Sequence, residues 1–380
     1  MPANPSIIKN RNPDLVIIGA GIVGLWCAVH AVQAGLRPLI IDSVGIAAGA
    51  SGGIVGALMP HQPSVWSPKK ALQLEGLLSL PHKIAALESQ TGLSAGYTRA
   101  GRLMPIWTEA ERTKHLAWQA GAKIHWPPEF QWNASEIIQN DAWLDPQAAP
   151  LGAALDTLAA RLDPRGICLL LAKAIENKAD FQFGIGVSEV FSNRSILMND
   201  ANRIVSRNIL ITTGIKSFDL IEPIIGRKTG TGVKGQAALL RPSKPLKPAV
   251  LPVIYADGLY VIAHDNGLIA VGSTSENQWI NATSTDDQLD ALLVRARAVC
   301  PMLRGAEVIE RWAGVRPKHE SRDPVVAQLS EVPGIIVATG GFKISFAVAH
   351  LMAREAIGYV TGEAGEFREI LKHGWNGKPR

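Results

Sequence analysis

The segment from Asp14 to Asp42 constrains the fold of this chain more than any other part of its sequence. An apolar run, Leu15 to Ile18, ends at a turn from Gly19 to Gly24 that has the spacing G-x-G-x-x-G. Helix-forming residues follow as far as Gly35, and a second apolar run then ends at the acid. A strand, a glycine turn, a helix and a second strand in this order predict a parallel β-α-β unit.

Each part of the glycine turn has a physical reason to be there. Gly19 permits a sharp turn, Gly21 lets a pyrophosphate approach the backbone, and Gly24 lets the helix pack closely on the strand. The first amides of the helix, beginning at Ile22, face such a phosphate. Asp42 is placed to accept hydrogen bonds from ribose hydroxyls, which favours NAD or FAD over NADP. The segment therefore predicts a dinucleotide-binding site.

The spacing of the glycines is weak evidence by itself, because 36 of the 380 residues are glycine. The strand before the turn, the helix after it and the acid at the end of the second strand make the match specific. The alternative is a parallel-sheet crossover with a glycine turn and no ligand.

Composition excludes several classes of protein. With 47% hydrophobic and 19% charged residues, the chain is typical of a globular protein of two domains or one large one. It has neither a run of membrane-spanning length nor a signal-like apolar stretch before Asp14. Cys27, Cys168 and Cys300 are widely spaced and odd in number, so we expect no disulfide framework, no metal site and a cytoplasmic location.

The formal net charge of +5 raises the question of an anionic partner. The Lys and Arg residues are dispersed along the chain and form neither a dense run nor a stripe. We therefore expect no nucleic-acid partner. The sequence leaves the oligomeric state open.

A second glycine-rich stretch extends from Gly45 to His61 and contains the pattern A-x-G-A-S-G-x-x-x-G. Its small residues leave backbone amides exposed to a long, flat ligand. Together the two stretches resemble the D-amino-acid oxidase (DAO) family of FAD enzymes, which includes glycine oxidase and monomeric sarcosine oxidase. In that family this segment follows the pyrophosphate and reaches the isoalloxazine. The resemblance implies that the flavin is lined by Ser51, Gly52, Gly56, Ala57 and Leu58.

Later segments match the same family. Val187 stands where the valine of the family's G-x-x-V motif contacts adenine through its backbone. Thr213-Gly214 follows the next strand, where the family has Ala-Gly. Near the C-terminus, an apolar strand breaks into glycines just before a helix, whose N-terminus can stabilise negative charge on a reduced flavin. The resemblance adds to the cofactor site Val187, Thr213, Gly214, Gly340, Gly341, Phe342 and Lys343.

Three residues are candidates for holding a substrate carboxylate. Arg316 lies in a segment similar to the family's W-x-G-x-R-P, and a guanidinium fork can make two parallel bonds to a carboxylate. Tyr260 matches a substrate tyrosine of glycine oxidase, although it is nearly as well explained by packing on one sheet face. Lys343 matches a carboxylate-binding lysine of sarcosine oxidase. In sarcosine oxidase the flavin is linked to a cysteine shortly before this lysine motif. No cysteine of this chain is near Gly341, so we expect non-covalent FAD.

The order of the segments predicts an α/β protein, α+β overall, with a discontinuous cofactor domain. Glycine-rich α/β segments occur at both ends and in the middle, and closely spaced strands joined by Asp-Gly and Asn-Gly turns lie between them. The resemblance implies a Rossmann-like FAD-binding domain beside a mainly antiparallel substrate sheet, the topology of glutathione-reductase-type flavoproteins. We expect the FAD-binding domain to consist of residues 1–80, 146–217 and 313–380. The substrate-binding domain then consists of residues 81–145 and 218–312.

These parts predict an enzyme that oxidises the C–N bond of a small amino acid or N-substituted glycine. With the carboxylate held by Arg316, Lys343 and Tyr260, the α C–H is aimed at flavin N5. Hydride transfer gives an imine, which hydrolyses to an oxo acid and an amine or ammonia, and oxygen or another acceptor then takes the electrons. The alternatives are an FAD-dependent 2-hydroxy-acid dehydrogenase with the same clamp, an NAD-dependent dehydrogenase and a non-catalytic binding module.

Overall fold

The β-α-β unit predicted near the N-terminus is present in the computed structural model, which describes residues 13–136 and 142–376. Residues 1–12, 137–141 and 377–380, which the predicted domains include, lie outside the described residues. The described helices are α1 (Ile22–Gln33), α2 (Pro68–Thr91), α3 (Glu109–His125), α4 (Pro164–Ile175), α5 (Lys216–Ile225), α6 (Asp287–Val299), α7 (Ser345–Thr361) and α8 (Arg368–Asn376).

The described strands form two large sheets and two small ones. In chain order the strands are β1 (Leu15–Ile18), β2 (Leu39–Asp42), β3 (Ala57–Leu58), β4 (Arg102–Pro105), β5 (Trp132–Glu136), β6 (Ala153–Asp156), β7 (Ala160–Arg161), β8 (Asp180–Phe183), β9 (Val187–Val190), β10 (Ser195–Met198), β11 (Arg203–Val205), β12 (Asn208–Ile211), β13 (Gly230–Arg241), β14 (Val253–Ala256), β15 (Leu259–Ala263), β16 (Ile269–Gly272), β17 (Glu307–His319), β18 (Val325–Gln328) and β19 (Ile335–Thr339).

The first sheet has six strands in the order β18-β19-β12-β1-β2-β8. Its strands are parallel except β18, which pairs antiparallel with β19. All four residues of β1 are buried, as expected for a central parallel strand covered on both faces. Leu15 and Ile17 pack among the helices α1, α2, α4 and α7, whereas Val16 and Ile18 pack toward α5 and the β9–β10–β11 sheet.

The second sheet has eight strands in the order β17-β13-β16-β15-β14-β4-β6-β5. Its neighbours pair antiparallel, except the parallel pair β4 and β14. The predicted Asp257-Gly258 turn joins β14 to β15, and both residues have the positive φ that a tight hairpin requires. Helix α6 packs on this sheet through Leu289, Leu292 and Leu293. The predicted combination of a Rossmann-like sheet and a mainly antiparallel sheet is therefore confirmed.

In the Trp-rich region before residue 146, β4 and β5 join the second sheet, and Trp126 and Trp132 are in the main core. One segment differs from the sequence-based expectations. Residues 153–156, expected in the FAD-binding domain, form β6 of the second sheet. We keep the two-domain division as a proposal, with β6 assigned to the substrate-binding domain. Among the described helices, none has the length and apolar character needed to cross a membrane.

Candidate active site

A cavity of about 930 Å³ extends from the glycine turn after β1 to the second sheet. Its volume is near the upper end of the roughly 300–1,000 Å³ range of ligand sites. Most residues predicted to bind the cofactor or substrate lie in its wall. They are Gly19, Gly21, Ile22, Asp42, Ser51, Gly56, Ala57, Val187, Thr213, Gly214, Tyr260, Arg316, Gly340, Gly341, Phe342 and Lys343.

Three residues predicted to bind the cofactor do not line this cavity. A Cβ on Gly24 would lie 2.0 Å from the Gly19 carbonyl oxygen, so this glycine permits the close approach of α1 to the turn. A Cβ on Gly52 would lie 2.3 Å from the Ala47 carbonyl oxygen. Leu58 is 1% exposed and belongs to the main core. These residues shape the loops by packing.

The Asp42 carboxylate connects the two glycine-rich stretches. One oxygen, Oδ2, accepts a hydrogen bond from the Ala20 amide at 2.9 Å. The other, Oδ1, accepts from the amides of Val44 at 2.9 Å and Gly45 at 3.1 Å. A carboxylate has about four acceptor positions, so Oδ2 keeps one for a ligand. The Ser51 hydroxyl accepts from the Ile22 amide at 3.0 Å, which leaves its own proton free to be donated.

Arg316 and Lys343 line the cavity with no carboxylate bonded to either among the described residues. Arg316 donates from Nη2 to the Ser273 hydroxyl at 2.6 Å and from Nη1 to the Thr274 carbonyl at 3.4 Å, both neutral acceptors. Burial lowers the pKa of Arg316. Burial, and then repulsion by Arg316, lower the pKa of Lys343. Two cations that repel each other in a concave wall form a site for an anion.

Tyr260 lines the same part of the cavity, on β15 beside Tyr255. Burial raises the pKa of Tyr260 to about 12, with the neighbouring Tyr255 as a smaller cause. Its hydroxyl is therefore neutral at physiological pH and able to donate a hydrogen bond to an anion.

A buried polar network lies behind Arg316. The backbone amide of Gln236 donates to the Thr274 hydroxyl at 2.9 Å, and its side-chain amide donates to the Glu276 carboxylate at 3.0 Å. Lys234 lies 3.5 Å from Glu276. These bonds fix the segment after β16 that binds Arg316. The sequence does not predict this network, because the network depends on strand pairing between distant segments.

The model of a family described as FAD dependent oxidoreductase, DAO, matches residues 14–355. The chain belongs to this family. It is an enzyme, an oxidoreductase, and its cofactor is FAD.

Similar proteins come from several bacteria. The glycine oxidase of Pseudomonas aeruginosa is 26% identical over 363 residues, which are 90% of this chain and 92% of that protein. The structure of glycine oxidase from Geobacillus kaustophilus aligns with a TM-score of 0.85 at 20% identity, covering 95% of this chain and 97% of that one. Iminodiacetate oxidase from Chelativorans sp. BNC1 aligns with a TM-score of 0.81 at 23% identity, covering 93% and 96%. These alignments show a shared fold.

The residues of the cavity fit FAD. Helices α1, α5 and α7 all begin at its wall, and none of the three has a side-chain cap at its N-terminus. The Ile22 amide is already bonded to Ser51, and the first amides of α5 are bonded to carbonyls of the preceding turn. The positive ends of the three helix dipoles nevertheless point into the cavity wall and favour phosphate or the electron-rich edge of a flavin. Gly21 keeps the space beside Ser51 open, because a Cβ there would lie 3.1 Å from the hydroxyl oxygen.

Gly235 provides a direct test of how Arg316 is placed. Gly235 pairs with Gly314 between β13 and β17, and a Cβ on it would lie 2.1 Å from Nη2 of Arg316. Gly235→Ala should displace the guanidinium and lower kcat/KM about tenfold or more, because the clamp loses its geometry. Steady-state kinetics measure this effect. Thr231→Ala, at an exposed position of the same strand, is the control. Equal activity of both variants and the wild type would refute the placement.

Proposed function

We propose that this enzyme oxidises the C–N bond of a small amino acid or N-substituted glycine, with FAD bound non-covalently. The observation that carries the proposal is the pair Arg316 and Lys343, both in the cavity wall and neither bonded to a carboxylate among the described residues. A substrate carboxylate is an anion that matches a guanidinium fork beside an ammonium group. Glycine oxidase and iminodiacetate oxidase, two similar proteins, are named for amines that carry a carboxylate.

Each residue of the clamp has a separate part in this reaction. Arg316 fixes the plane of the carboxylate, Lys343 adds a point charge, and the neutral Tyr260 hydroxyl donates a further hydrogen bond. Bound FAD supplies the hydride acceptor. The walls of the cavity hold the α-carbon in place and exclude water, so positioning provides most of the rate. The proposed reaction requires no base at the carbon, because a neutral amine can expel hydride directly as the imine forms.

Anaerobic flavin reduction tests the substrate class. We expect glycine or N-methylglycine to bleach the flavin absorption, and glycolate, the hydroxy analogue of glycine, to leave it unchanged. Bleaching by glycolate and by none of the amines would instead support the alternative, an FAD-dependent 2-hydroxy-acid dehydrogenase with the same clamp.

Acid precipitation tests the attachment of the cofactor. All three cysteines are fully buried and none lines the cavity. We therefore expect acid to release all of the flavin into the supernatant. Yellow colour that stays in the washed pellet would contradict a non-covalent site.

The proposal includes the compartment and the electron acceptor. The cysteines are free thiols, as is usual in a reducing cytoplasm, where we place the enzyme. Oxygen or another acceptor reoxidises the cofactor.

A further inference from the structure

Two cations in the cavity wall, Arg102 of β4 and Lys216 of α5, are not part of the carboxylate clamp, and Arg102 lies on the side of the second sheet. Arg102 is 6% exposed, so it is a component of the wall and not a surface charge. Arg102 and Arg316 each lower the pKa of Tyr260, against the larger effect of burial, which raises it. Both arginines and the tyrosine line the same cavity.

Only some of the N–H donors of Arg102 are hydrogen-bonded to other described residues. Nε donates to Oδ2 of Asp156 at 2.6 Å, and Nη2 makes a long contact of 3.4 Å with the Pro60 carbonyl. The other oxygen of Asp156 accepts from the Ala159 amide at 2.8 Å. The ion pair is therefore bonded through one carboxylate oxygen and is not a fork.

The outer end of Arg102 has unused donors. Among the described residues, no acceptor is bonded to Nη1. The rings of Trp132 and Tyr255 lie 5.2 Å and 5.8 Å from the guanidinium carbon, which restricts its movement. Since a guanidinium presents five N–H donors in one plane, the Nη1 and Nη2 groups can receive a second carboxylate as a fork.

The surrounding wall favours an anion. The carboxylates that line the cavity, Asp42 and Asp219, belong to β2 and α5, on the cofactor side. His61, which also lines the cavity, lies close enough to Arg102 to be affected by its charge. Burial and then nearby lysines lower the pKa of His61 to about 4, so this ring is neutral and does not compete as a cation.

We propose that the substrate is a diacid: an amine with two carboxylates, one bound by Arg316 and Lys343 and the other by Arg102. This inference rests on the proposed function. The second carboxylate is either on an N-linked arm, as in iminodiacetate, or on a side chain, as in aspartate. In the first case, two electrons and two hydrogens leave the N–CH2 unit for the cofactor, and water cleaves the imine into glyoxylate and glycine.

Matched substrates test this assignment on the holoenzyme. N-methylglycine is compared with iminodiacetate, and alanine with aspartate, in anaerobic stopped-flow reduction. We expect one diacid to exceed its monoacid partner by at least about tenfold in the reduction rate constant divided by Kd, because it adds a charge-assisted fork. The pair that shows the difference identifies the position of the second carboxylate.

Arg102→Lys should remove most of that advantage by lowering the reduction rate constant divided by Kd about tenfold more for the diacid than for the monoacid, because lysine keeps the charge opposite Asp156 but lacks the fork. Arg161→Lys is the matched control, since Arg161 is 1% exposed, pairs with Asp265 and does not line the cavity. Equal losses for monoacid and diacid in Arg102→Lys would overturn the inference.

A binding measurement on the wild type does not depend on the folding of any variant. Diglycolate, the oxygen analogue of iminodiacetate, should perturb the flavin spectrum with a Kd at least about tenfold below that of methoxyacetate. Equal affinities, together with equal reduction by all monoacids and diacids, would overturn the diacid assignment but leave the amine oxidation intact. No reduction by any of the four amines would overturn both.

Discussion

Arg316→Ala should slow flavin reduction by a carboxylate-bearing amine by a factor of roughly 30 to 1,000, equivalent to about 2 to 4 kcal/mol of transition-state stabilisation. The guanidinium is bonded to neutral oxygens of Ser273 and Thr274, so its charge is available to the substrate. Removing it leaves the carboxylate in a partly desolvated site with Lys343 as the only cation of the clamp. Stopped-flow reduction at several substrate concentrations gives the rate constant and Kd that define the loss.

Two companion variants separate this effect from a general disturbance. Arg316→Lys should also be impaired, because a point charge does not reproduce the fork that fixes the α-carbon. Lys318→Ala removes a cation from the same strand that does not line the cavity, and it should behave as wild type. The FAD content of all three should be unchanged. Wild-type reduction rates in Arg316→Ala would show that the carboxylate is held elsewhere.

Gly24→Ala should strongly reduce FAD binding. The added Cβ would lie 2.0 Å from the Gly19 carbonyl oxygen and 2.6 Å from the Thr212 hydroxyl. Because the nearest atom is backbone, the turn and α1 must move apart, at a cost of about 1 to 3 kcal/mol or more. If that cost falls on the bound form, FAD affinity drops roughly 5- to 150-fold.

The flavin-to-protein absorbance ratio after gel filtration measures this loss, and thermal unfolding reports the accompanying change in Tm. Gln33→Ala, at an exposed position of the same helix, is the control and should retain its flavin. A Gly24→Ala protein with a full complement of FAD and an unchanged Tm would mean that the helix tolerates a wider separation from the turn.

The cofactor half of the molecule was largely predictable because its signals are local. The turn from Gly19 to Gly24, its flanking strands and Asp42 all lie within one continuous segment, so spacing alone defines their arrangement. The same holds for the tight turn at Asp257-Gly258, where residue type determines the backbone conformation. In such segments, residues that are neighbours in the sequence determine both the binding groups and the backbone conformation.

The wall of the substrate cavity was less predictable because it depends on strand register. Arg102 and Asp156 face each other only because β4 and β6 pair with that register. Gly235 and Arg316 likewise come together through the pairing of β13 with β17. No local pattern marks either pair. The predicted domain boundary at residue 146 does not separate the two sheets, because β6 belongs to the second sheet. No sequence pattern indicates which sheet β6 joins.

Strand β17 contacts both the turn at Ala50–Gly52 and the turn at Phe342–Ile344, and it also carries Arg316. Its Trp312 reaches Gly53, where an added Cβ would lie 3.3 Å from the ring. With Arg316 binding the substrate carboxylate as proposed, cofactor and substrate would both act on this strand, and we expect their binding free energies to be coupled. By thermodynamic reciprocity, the factor by which FAD tightens a carboxylate ligand equals the factor by which that ligand tightens FAD. Carboxylate ligands should thus slow the loss of flavin during dilution or storage.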